Sequence, residues 1–80
     1  MGNKLLSKHQ KSIKLISNLL REIRFNENLT NKNVQELTGL NKNTISRAEN
    51  SRGIQLFTLL ELCSVYGVKP SEVLSIIDWQ

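Results

Sequence analysis

One cysteine, one proline, one histidine, one tryptophan and one tyrosine stand among the 80 residues, and each scarcity removes a class of protein. With Cys63 alone there is no intramolecular disulfide, no CxxC pair and no cysteine-rich zinc site, which suits a reducing compartment. His9 has no partner at metal-ligand spacing and reads as solvated surface, so neither a metal nor any other cofactor is expected. No apolar run approaches the roughly 18 residues that span a bilayer, and the amino terminus lacks the apolar segment of a signal peptide. Met1-Gly2 opens like a myristoylation signal, but Leu6 stands where Ser or Thr is required. The expected location is therefore the cytoplasm, with no membrane partner. There is no glycine-rich phosphate loop and no nucleophile beside a base. The acids Glu22, Glu27, Glu36, Glu49, Glu61, Glu72 and Asp78 form no convincing pair, so no catalytic residue and no enzyme is expected.

What is present begins with charge. The 11 Lys and Arg outnumber the seven Asp and Glu, giving +4 overall. Residues 1–24 hold six basic side chains against one acid, residues 25–53 four against three, and residues 54–80 one against three. A basic amino-terminal stretch suits a polyanion, because each neutralised phosphate releases counterions. By itself, though, the Lys4, Lys8 and Lys11 set reads as a solvated helix face.

Glycine falls at Gly39, Gly53 and Gly67, each closing an apolar-periodic segment, and no strand-like alternation occurs. The pattern predicts one small all-α domain of five helices. Ile13, Ile16, Leu20 and Ile23 place one core-facing stripe on a helix over about 12–25, which can begin earlier within a basic extension, residues 1–11. Leu15 and Leu19 form a flanking stripe for that extension or for another subunit, and Asn26-Glu27-Asn28 ends the helix. Thr30 is an N-cap for a helix over 31–38 that packs Val34 and Leu37, with Gly39 at its end. Leu40 plugs the turn and Asn41 caps a third helix over 42–50. A fourth helix over 55–66, with Leu56, Leu59, Leu60, Cys63 and Val65 or Tyr66, is apolar around its circumference and reads as central. Cys63 is a core residue and Tyr66 a core edge. Pro70 suits the first turn of a fifth helix that packs Val73, Leu74 and Ile77. Trp79, with Ile76 and Ile77, either docks on the core or meets a second subunit.

The most telling segment is 41–50, N-K-N-T-I-S-R-A-E-N. Only Ile45 and Ala48 anchor it, leaving Lys42, Asn43, Ser46, Arg47 and Asn50 to face outward. Amide and guanidinium groups suit base edges and phosphate oxygens. A short helix, a three-residue turn at Gly39-Leu40-Asn41 and a second short helix with a polar outer face make a helix-turn-helix over 31–50. The second helix must be held by little of its own surface if its amino-terminal end is to enter a groove roughly 12 Å wide.

The segments I-S-N-L-L-R-E-I-R (16–24), L-T-N-K-N-V-Q-E-L-T-G-L-N-K-N-T-I-S-R-A-E-N (29–50) and the leucine-rich run through Y-G-V-K-P-S-E-V-L (56–74) resemble the phage repressor and Cro-type helix-turn-helix domains, the XRE family. The resemblance implies a compact five-helix lambda-repressor-like DNA-binding domain over 12–78. It also implies base reading by Lys42, Asn43 and Arg47, and DNA-backbone contacts from Asn31, Asn41, Thr44, Asn50 and Arg52. Arg24 and Glu49 are implied as a structural ion pair. The chain departs from the family pattern at Gln35, where a small residue is common. It departs again at Ala48, at Ser51 and in the shortened loop Gly53-Ile54-Gln55.

These readings converge on a sequence-specific transcriptional regulator, a repressor rather than an activator, binding double-stranded DNA as a homodimer. The alternative is an antitoxin or adaptor that uses the same fold to hold a protein partner, with DNA binding secondary.

Overall fold

The computed structural model describes residues 3–50 and 53–77, with side chains from residue 9 onward. Among the described residues five helices follow in order: α1 (Asn3–Asn26), α2 (Asn31–Thr38), α3 (Lys42–Glu49), α4 (Leu56–Tyr66) and α5 (Pro70–Leu74). No strand occurs among the described residues. Arg52 and Trp79 lie outside the described residues, as do the side chains of Lys4 and Lys8.

The isoleucine stripe makes α1 a core helix, and its backbone continues unbroken into the basic stretch, giving 24 residues and a length of about 36 Å. Ile16 and Leu20 are buried, while Leu19 and Ile23 pack against the core. Leu19 thus joins the core, whereas its flanking neighbour Leu15 remains 44% exposed. The helix ends where Asn28 takes a positive φ of 58°, a conformation that asparagine tolerates better than most residues. This lets the Leu29 N–H reach back to the Arg24 carbonyl at 3.1 Å.

Thr30 caps α2 reciprocally with Asn33: Thr30 Oγ1 accepts from the Asn33 N–H at 3.1 Å, and Asn33 Oδ1 accepts from the Thr30 N–H at 2.9 Å. The inward arc of α2 runs through Asn31, Val34, Gln35 and Thr38, the i, i+3, i+4, i+7 set of one helix face. Leu37 falls off that arc and is 59% exposed, so it does not pack inward as its apolarity predicts.

The same arithmetic corrects the reading of α4. Leu59, Leu62, Cys63 and Tyr66 form its inward arc and are buried with Thr58, whereas Leu56, Phe57 and Leu60 lie opposite, at 68%, 64% and 45% exposure. An 80-residue chain has too little mass to surround a helix on every side, so α4 is central on one face only. Tyr66 is likewise a core residue, not an edge. In α5, Val73 is buried and Ile77 beyond it packs on the core, while Leu74 and Ile76 face outward. The core therefore lies around the inner face of α3, which packs on α1, α2 and α4, while α4 also meets α1 and α2 and α5 closes the side formed by α1 and α4.

Candidate nucleic-acid interface

Between α2 and α3 the chain turns in three residues. Gly39 holds φ 81°, a region that a Cβ disfavours, and its N–H donates to the Gln35 carbonyl at 2.8 Å. Thr38 Oγ1 stiffens the turn by donating to the Val34 carbonyl at 2.7 Å while accepting from the Leu40 N–H at 3.0 Å. Leu40 packs against the core beneath. Asn41 Oδ1 then accepts from the Thr44 N–H at 2.8 Å, capping the start of α3.

Within α3, Ile45, Ala48 and Glu49 are buried. Lys42, Asn43, Arg47 and Asn50 are exposed, and Thr44 and Ser46 are half-buried. The outer surface is not smooth. A cleft of about 350 Å³ runs between α3 and the start of α4, lined by Thr44, Arg47, Ala48, Gly53, Ile54, Gln55 and Thr58. A shallower hollow of about 330 Å³ is bounded by Asn43, Ser46, Arg47 and Asn50. Arg47 borders both.

The three asparagines expected at the DNA backbone share a chemical feature. The Oδ1 of Asn31 accepts from Gln35 Nε2 at 2.8 Å, that of Asn41 from the Thr44 N–H, and that of Asn50 from Arg21 at 3.1 Å. Each acceptor is engaged inside the protein, which leaves amide donors for a ligand. Asn50 gives one N–H to the Ser46 carbonyl at 2.6 Å and carries a second. A surface whose acceptors are tied inward and whose donors remain suits an anion. Gln35, the departure from a small residue near the helix crossing, is what engages Asn31.

Behind the face, Arg24 grips Glu49 with two parallel bonds: Nε to Oε2 at 2.8 Å and Nη2 to Oε1 at 3.0 Å. Its Nη1 also donates to the Leu29 carbonyl at 2.9 Å, so one side chain joins α1, the segment entering α2, and the end of α3. The hydrogen bond to Glu49 raises the Arg24 pKa against the opposing effect of burial. The Phe25 ring lies 4.7 Å from the guanidinium carbon, a cation–π contact.

Two participants escaped sequence reasoning. Arg21 donates to the Glu49 carbonyl at 2.6 Å as well as to Asn50. The signal for it was present: Arg21 and Arg24 stand three apart, on one face of the last turns of α1. Phe25, at the end of the expected helix, is the other, through its ring contact with Arg24. Among the described residues no group of three His, Cys, Asp or Glu could hold a metal ion, and no helix is long and apolar enough to cross a membrane.

Residues 18–78 match the family described as the Cro/C1-type helix-turn-helix DNA-binding domain. No curated protein and no solved structure matches the chain.

Proposed function

The chain belongs to the Cro/C1-type helix-turn-helix DNA-binding family, and from that premise we propose that it is a sequence-specific repressor which lays α3 in the major groove. The observation that carries this reading is the outer face of α3. It is exposed, free of acidic side chains, fixed at both ends, and flanked by asparagines with their acceptors tied inward. Lys42, Asn43 and Arg47 read base edges, with lysine and arginine matched to guanine O6 and N7 and asparagine to adenine N6 and N7. Asn31, Asn41, Thr44, Asn50 and Arg52 hold phosphates, helped by the positive amino-terminal ends of α2 and α3. Arg24 and Glu49 serve as a structural pair. Glu49 is buried away from the groove, which keeps its carboxylate from repelling phosphate.

Binding is as a homodimer on a two-fold related operator with half-sites about 34 Å apart, or a multiple of that. The exposed Leu56, Phe57 and Leu60 supply the surface for a second copy, since apolar groups clustered on one helix face gain by being covered. Repression then needs only occupancy of the site, without catalysis. The same strip favours a second reading, an antitoxin or adaptor whose α4 holds a different protein. Stoichiometric co-purification of such a partner would support that reading.

Arg47→Ala tests the reading face. The variant is expected to keep the wild-type thermal transition and to lose about 1–3 kcal/mol of operator discrimination. Unchanged operator affinity would contradict the assignment.

A further inference from the structure

Arg21 has no place in the contacts proposed above, yet it closes the far end of the helix that makes them. Its Nη2 donates to the Glu49 carbonyl at 2.6 Å and to Asn50 Oδ1 at 3.1 Å. The last turn of any helix leaves carbonyls without intrahelical donors and carries the negative end of the helix dipole, where a cation is favoured. In α3 this turn is irregular. The Asn50 N–H donates to the Arg47 carbonyl at 3.3 Å, and the Ser46 carbonyl is served by the Asn50 side chain at 2.6 Å. Arg21 therefore holds the terminal backbone directly and, through Asn50, the turn before it.

A helix of eight residues has little stability of its own, and Ile45 and Ala48 define only a line about which it can roll. Its start is fixed by the Asn41 cap, and its end is gripped twice. Arg24 holds the tip of a flexible carboxylate side chain, whereas Arg21 holds the backbone. We infer that Arg21 is a positioning residue for sequence reading: by clamping the Glu49 carbonyl and Asn50 it sets the angle at which Asn43 and Arg47 meet base edges. The inference rests on the DNA-reading function proposed above.

The test uses the full chain, the duplex that it selects from a random pool, and a scrambled duplex of the same composition. Arg21→Met keeps the aliphatic stem and removes the donors. The ratio of affinities for selected over scrambled duplex is expected to fall about tenfold or more, with the salt dependence on scrambled duplex unchanged. Arg21→Lys is expected to restore most of the ratio, because a single terminal nitrogen makes both bonds. Equal weakening on both duplexes, with a salt slope shallower by about one, would make Arg21 a phosphate contact and overturn the inference. An unchanged ratio, or loss of cooperative unfolding in Arg21→Met, would overturn it as well. If the unaltered chain itself shows no sequence preference, the DNA-reading proposal fails first. Amide exchange of the free protein then decides the clamp: faster exchange at Glu49 and Asn50 in Arg21→Met supports it, and unchanged exchange overturns it.

Discussion

Glu49 is 5% exposed, and a buried carboxylate is stable only while its partner remains. Arg24→Ala is accordingly expected to cost about 3–5 kcal/mol, much of the roughly 4–12 kcal/mol available to a domain of this size. Urea unfolding measures the loss, and the Arg24→Met, Glu49→Leu double variant is expected to recover most of it, since no charge is then stranded. Tyr66 presents the opposite case. Its hydroxyl is buried with no hydrogen-bond partner among the described residues, and burial, then the Glu49 carboxylate, push its pKa from 10.0 up to about 12. The folded chain keeps this proton where the unfolded chain has lost it. The contribution of this group is therefore full below pH 10 and is lost as pH rises toward 12. Tyr66→Phe is expected to gain about 1 kcal/mol at neutral pH and to flatten that alkaline loss relative to wild type, as thermal melts across the range will show. The sequence could not disclose this hydroxyl. A tyrosine near the end of an apolar helix reads as an edge residue, and only the packing of α1 and α3 around it makes it internal.

At the scale of elements, the turn and caps of α2 and α3 were legible because they rest on local chemistry. Thr30, Gly39 and Asn41 each act within four residues of themselves. Among the described residues, none beyond its own chain neighbours comes within 4 Å of a Cβ built on Gly39, so Gly39→Ala tests backbone conformation alone. It is expected to cost about 1–2 kcal/mol, read by chemical denaturation. Asn41→Ala removes the cap of α3 and is expected to cost about 1 kcal/mol, with a matching loss of DNA affinity. What was not legible is the facing of apolar helices. Leu56, Leu59, Leu60 and Cys63 are alike in composition, and only the direction from which α2 and α1 approach α4 separates the buried pair from the exposed one. Leu37 was misplaced for the same reason. Arg21 was missed because its partners are a carbonyl and a side chain 28 and 29 residues away.

At the scale of the molecule, the proposed function assigns the exposed strip Leu56, Phe57 and Leu60 to a second copy and the polar face of α3 to DNA. Leu60→Glu places a charge on the strip without touching the core. It is expected to shift sedimentation equilibrium toward monomer and to weaken binding to a two-fold operator more than to a half-site, while the thermal transition stays within about 0.5 kcal/mol of wild type. DNA reading by α3 is decided by selecting duplexes from a random pool with the full chain and titrating the winner across a salt series. Enrichment of one sequence, with affinity falling steeply as salt rises and a clear preference over scrambled duplex at every salt, is the expected result. A salt-dependent affinity that is the same for every sequence would contradict it.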